Sequence, residues 1–149
     1  MRFFALVREL AHLHPEMADV FEDVWASSNG GKRPAGEAGR MRAAGQKKGV
    51  LDIECMVPRR TAHGLFIEMK SPTGRLTPEQ AARIQRLRRR GYVCAVARSW
   101  EEAGRILCEY MGTPWPEDAA CRVEGRLFLE QSQRRAARWS SSNAPRLGA

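Results

Sequence analysis

The sequence predicts an α/β fold, a small mixed sheet flanked by helices, and three observations predict it. Residues 50–57 and 64–70 both have the composition of strands. Thr77-Pro78-Glu79-Gln80 opens a helix after them, and a further strand at 92–97 runs into a second helix start at Ser99-Trp100-Glu101-Glu102. Strand-then-helix units in succession build a sheet with helices packed against it.

Phe3, Leu6, Val7, Leu10 and Leu13 recur at three- and four-residue spacing, which makes residues 2–13 an amphipathic helix. Pro15 interrupts it. Met17, Val20, Phe21 and Val24 continue a short apolar pattern that stops at the loop cluster Ser27-Ser28-Asn29-Gly30-Gly31. From Lys32 to Lys48 six basic residues stand against one acid, Glu37, with almost no large apolar side chains, so a solvated helix or basic loop is expected. In the first strand Val50, Asp52 and Glu54 share one face and Leu51, Ile53 and Cys55 the other. Pro58-Arg59-Arg60 ends it, residues 61–63 link to the strand Gly64 to Lys70, and Ser71-Pro72-Thr73-Gly74 is turn chemistry.

Thr77 is the expected N-cap of the next helix, with Pro78 at its first position and Gln80 at the capping-box position. Ala81, Ile84 and Leu87 face inward, Arg83, Arg86, Arg89 and Arg90 outward, and Gly91 closes the helix. The last helix of the domain sets Trp100, Ala103, Ile106, Leu107 and Tyr110 on one face, and Trp100, like Tyr92 on the strand before it, is expected in the core. The domain so read spans 1–112. Residues 113–149 read as an appendage, with Val123, Leu127, Phe128 and Leu129 its only dense apolar cluster and residues 131–149 expected to be disordered in isolation.

A length of 149 residues suits one domain with a real core. The formal charge of +8 makes a polyanion the first partner to consider, nucleic acid ahead of anionic membrane, because neutralised phosphates release counterions. Cys55, Cys94, Cys108 and Cys121 fall singly, so neither a zinc site nor a disulfide framework is indicated, and buried reduced thiols are expected. No apolar run approaches the roughly 20 residues that span a bilayer, and Arg8-Glu9 breaks the N-terminal apolar stretch before a signal region develops, so a cytoplasmic protein without a membrane partner is expected.

The chemistry concentrates at Asp52, Glu68 and Lys70. Glu68 and Lys70 project from one side of an otherwise apolar strand, and Asp52 lies on the neighbouring strand about 4.8 Å away, so the two carboxylates can share one hard cation. The backbone carbonyl of Met69 lies between them as a further ligand, and Lys70 is placed to orient a water or stabilise negative charge on a phosphate. Such a Mg²⁺ or Mn²⁺ site serves phosphodiester hydrolysis; an ordinary Glu-Lys pair beside a surface Asp is the plain alternative. Glu54 shares the face of Asp52 and is an alternative ligand, while His63, in the turn before its strand, is assigned a structural role.

Taken in order, Asn29-Gly30-Gly31-Lys32-Arg33, Gly49-Val50-Leu51-Asp52, His63 through Lys70, Gly74-Arg75-Leu76-Thr77-Pro78-Glu79-Gln80, Gly91-Tyr92-Val93 and Ser99 through Ala103 resemble the motif series of the VRR-NUC family, a branch of the PD-(D/E)XK nucleases. The likeness covers roughly residues 12–112. It implies a restriction-endonuclease-like core and metal-dependent cleavage of DNA, with Asp52 and Glu68 as ligands, Lys70 catalytic and Gln80 touching the site or the phosphate. Leu51 stands where the family has proline, which a strand tolerates. The family's first helix also brings an acidic residue to the metal; in register that residue would precede Met1, and Glu9 is the nearest candidate to replace it, though on a short helix with several exposed acids it is expected to be solvated.

The resemblance further implies an endonuclease of phage or prophage origin acting on duplex or branched DNA as a homodimer in the bacterial host. Lys32, Arg33, Arg40, Arg42, Lys47 and Lys48 are candidates for tracking its phosphates. A non-catalytic DNA-binding or assembly module with a degenerate site is the rival expectation, and a ribonuclease would use the same site logic.

Overall fold

The apolar stripe of residues 2–13 forms a helix, α1 (Arg2–Leu13), with Leu6 and Leu10 fully buried. The computed structural model describes residues 2–27, 39–40 and 43–142. After α1 come a 3-10 turn (Pro15–Met17), α2 (Ala18–Glu22) and the strands β1 (Val24–Ala26), β2 (Ile53–Cys55) and β3 (Leu65–Met69). They are followed by α3 (Pro78–Arg89), β4 (Val93–Ala97), α4 (Trp100–Met111) and α5 (Ala119–Ser142).

The sheet is mixed, in the order β1-β2-β3-β4. β1 and β2, and β2 and β3, pair antiparallel, whereas β3 and β4 pair parallel and so need the crossover that α3 supplies. On one face α1 and α4 bury Leu6, Leu10 and Leu107 against Ile53, Leu65 and Ile67. On the other, α3 covers a smaller cluster of Leu51, Ile84 and Cys94 with Phe66, Leu87 and Val96. The α/β architecture is therefore the expected one, a small mixed sheet flanked by helices, and the site lies where β2 begins and β3 ends.

The helix boundaries follow their caps. Thr77 and Gln80 form both halves of a capping box, the Thr77 hydroxyl accepting from the Gln80 amide at 3.2 Å and the Gln80 side chain from the Thr77 amide at 2.9 Å. At α4 only half of a capping box forms: Ser99 accepts from the Glu102 amide, but the Glu102 carboxylate takes the amide of Arg98. Gly91, at φ +81°, ends α3 in the conformation glycine favours and lies against the ring of His63, where a Cβ would collide. His63 also meets Tyr92 edge-on at 5.7 Å, so it serves packing, as expected.

Three features depart from the sequence expectation. β2 is only three residues long rather than spanning 50–57, because Leu51 turns away to pack under α3 beside Ile84. Val24–Ala26, expected at the end of a helical pattern, form an edge strand against β2. Residues 119–142 are one long helix whose Ala119 and Val123 are buried and whose Leu127 packs on the core. Of the cysteines, Cys55, Cys94 and Cys108 are buried and reduced, their thiol pKa values pushed up first by burial, while Cys121 is exposed. Among the described residues no helix is long and apolar enough to cross a membrane.

Candidate active site

The register Ile53↔Ile67, continued by one residue, sets Asp52 opposite Glu68. The Asp52 carboxylate reaches across and accepts a hydrogen bond from the Met69 amide at 2.9 Å, so a side chain takes over where the backbone ladder of β2 stops. The Asp52 carbonyl accepts from the Ser27 amide at 2.9 Å, tying the same residue to the end of β1. Asp52 is thus held from both neighbouring strands.

Glu68 is 1% exposed. One carboxylate oxygen, Oε1, receives the Lys70 ammonium at 2.8 Å and the side-chain amide of Gln80. The other, Oε2, is buried and has no hydrogen-bond partner. Lys70 also donates to the Gln80 side-chain oxygen at 2.9 Å, the oxygen that completes the capping box. Gln80 therefore closes its helix and ties Glu68 to Lys70 with the same amide group, so its two expected roles are not alternatives.

Burial pushes the Glu68 carboxyl above the ordinary carboxylate range; the Lys70 hydrogen bond pulls it down, and the charge of Asp52 pushes it up again. Two carboxyl groups close enough to oppose each other's ionisation are what a cation between them would relieve. Only hard oxygen donors converge here, with an orphaned oxygen on Glu68, and that donor set suits Mg²⁺ or Mn²⁺ rather than a softer metal. Among the described residues no group of three or more His, Cys, Asp or Glu is gathered to hold a metal.

A groove of about 380 Å³ opens beside Asp52, lined by Lys47, Lys48, Gly49, Thr77, Glu79 and Gln80 among others. Gly49 explains why the basic loop stays there. It has φ +70°, and a Cβ on it would lie 2.7 Å from the backbone carbon of Glu79, so only glycine lets the loop dock on the first turn of α3. Arg83 on α3 donates to the Lys48 carbonyl at 3.3 Å and fixes the loop from its other side.

The other candidates fall elsewhere. Lys32, Arg33 and Arg42 lie outside the described residues, and Arg40 is exposed. Glu54 accepts from the Ser27 hydroxyl at 2.5 Å and lies near Arg83. Glu9, expected to be solvated, is instead buried between α1 and α5, because Arg126 of α5 covers it in an ion pair at 2.5 Å. The sequence offered Ser27 only as a loop residue, yet its amide and hydroxyl hold Asp52 and Glu54; it directly follows β1, a strand the sequence did not reveal.

A mixed sheet with helices on both faces and a carboxylate, carboxylate, lysine set at the end of its central strands is the restriction-endonuclease-like class. Residues 34–101 match the family described as VRR-NUC domain. A solved structure described as a VRR-NUC domain protein superposes with a TM-score of 0.53 at 29% identity, over 62% of this chain and 70% of its own. No curated protein matches the chain. Both comparisons agree with the resemblance carried by the motif series: residues 34–101 match a VRR-NUC domain, a nuclease-type DNA-binding domain.

Proposed function

We propose that the chain is a Mg²⁺- or Mn²⁺-dependent endodeoxyribonuclease that hydrolyses phosphodiester bonds in duplex or branched DNA, acting as a homodimer in the host cytoplasm. The observation that carries this reading is Glu68: a carboxylate buried opposite Asp52, with Lys70 and Gln80 on one oxygen and the other oxygen orphaned. Burying a carboxylate so costs stability, and a structural ion pair alone gives no reason to set a second acid against it.

Asp52, Glu68 and the Met69 carbonyl would hold the ion. Once bound, it would lower the pKa of an attacking water and neutralise charge at phosphorus. Lys70, fixed through Gln80, keeps its ammonium beside Glu68 and presents positive charge where the phosphate's negative charge builds up. Lys47 and Lys48 neutralise flanking phosphates from the adjoining groove.

The test is cleavage of labelled duplex, flap and four-way DNA with Mn²⁺ or in EDTA. Cleavage is expected only with the metal, and each of Asp52→Ala, Glu68→Ala and Lys70→Ala is expected to lower it at least about 100-fold. Undiminished cleavage by all three purified variants would sink the assignment. A melting midpoint raised by Mn²⁺ in the wild type and not in Asp52→Ala reports the ion independently of turnover. The rival reading, a non-catalytic DNA-binding module, draws on the lack of a third carboxylate among the described residues. DNA binding in EDTA without cleavage of any substrate on adding Mn²⁺ selects it.

A further inference from the structure

Asp52 lines two grooves, one on each face of the sheet. The first is the basic groove toward α3, with Lys47 and Lys48. The second, about 550 Å³, opens toward α1 and α4 and is walled by Phe4, Ile53, Met69 and Trp100, with Arg2 among its few polar residues. Met69 joins the two, its amide holding the Asp52 carboxylate while the residue lines the second groove.

The aromatic walls of this groove are partly exposed and braced. Phe4 meets the buried Phe3 edge-on at 5.1 Å, leaving Phe3 to serve the core. Trp100 is backed by Trp115, centroids 6.2 Å apart, and Trp115 is covered in turn by the Arg105 guanidinium at 4.4 Å. Rings held in this way lose little freedom when a flat group is laid against them.

A strand whose phosphate lies at Asp52, with its neighbouring phosphates along Lys47 and Lys48, has an apolar, aromatic slot beginning at the same carboxylate. We propose that this slot receives an unstacked nucleobase next to that phosphate. The domain then favours DNA with an unpaired nucleotide there, at a fork, flap or gap, over continuous duplex. In a duplex each base is paired and stacked on its neighbours, so only an unpaired one enters without breaking those contacts. Because every base offers a π-face, the slot confers structure preference with little sequence preference.

The inference rests on the DNA-binding reading of the Asp52 site, and binding measured in EDTA separates the two. Fluorescence anisotropy of the full chain with a continuous duplex is compared with that for a forked duplex whose unpaired base is 2-aminopurine. The fork is expected to bind roughly tenfold more tightly, with quenching of the 2-aminopurine as it stacks. Phe4→Ala and Trp100→Leu, each checked for native circular dichroism, are expected to bring the fork-to-duplex ratio toward one and abolish the quench. Lys47→Ala with Lys48→Ala weakens both DNAs and keeps the ratio. Equal wild-type binding of fork and duplex, or a folded Phe4→Ala that keeps both ratio and quench, overturns the slot while the DNA-binding reading stands. Failure of the wild type to bind either DNA overturns both.

Discussion

Glu68 keeps one oxygen bonded to Lys70 and Gln80 and the other with no partner, in a place where water is excluded. Its pKa lies above the ordinary value, with burial the largest cause. Between the unfolded value near 4.3 and the raised folded value, the folded state holds more protons than the unfolded one. Stability is therefore fullest below about pH 4 and is lost as pH rises through the folded pKa. Glu68→Gln, measured by thermal unfolding in EDTA, is expected to be more stable than the wild type at pH 8 by about 1 kcal/mol, or roughly 2–4 °C. The gain should vanish near pH 4; a wild type as stable as the variant at pH 8 contradicts the account. At this scale much of the site was legible. Period-two alternation put Asp52 and Glu68 on one face, and antiparallel register sets them opposite. Alternation also put Glu54 there, but Ser27, just past a strand too short to be seen in sequence, occupies its carboxylate. The double duty of Gln80 was legible only in halves, because its contact with Glu68 depends on how the first turn of α3 docks on the sheet.

Elements with their own caps and periodicity were readable, and those defined by their neighbours were not. α3 has a full capping box and α4 a left-handed glycine at its end, Gly112 at φ +75°. β1 is a three-residue edge strand, too short for any period to show. Among the described side chains of α5, Ala119, Val123 and Leu127, at four-residue spacing, seat it against the core, while Phe128 and Leu129 are exposed and blur that signal. Its attachment is partly ionic: Arg126 meets Glu9, and Arg2 and Arg8 meet Glu124 and Glu130. The outer pairs are solvated and contribute little, but Glu9 is buried, so removing its partner strands a charge. Arg126→Ala is expected to destabilise the protein by about 1–2 kcal/mol in urea denaturation, and Glu9→Gln in the same background to restore part of that loss. Simple additivity of the two single changes would show that the pair does not couple α1 to α5.

Among the described residues two exposed basic pairs, Lys47 with Lys48 and Arg134 with Arg135, lie at different distances from the site. The site end holds the start of α1, where Arg2 shares a groove with Asp52, and the basic loop of Lys47 and Lys48. α5 runs parallel to α1, since Arg2 pairs with Glu124 and Arg8 with Glu130. Arg134 and Arg135, exposed and ten or more residues past Glu124, therefore lie at least about 15 Å farther along the helix axis, away from the site. A net charge of +8 draws DNA toward the molecule from a distance, but only cations that meet phosphates release counterions. Two double variants that lose equal charge separate these effects. In a plot of log affinity against log salt, measured in EDTA, Lys47→Ala with Lys48→Ala is expected to flatten the slope by about 2, close to 0.9 per phosphate contact. Arg134→Ala with Arg135→Ala is expected to leave the slope unchanged and to slow association only at low salt, where long-range steering counts. Equal flattening by both pairs would mean that DNA runs along α5 as well as past Asp52.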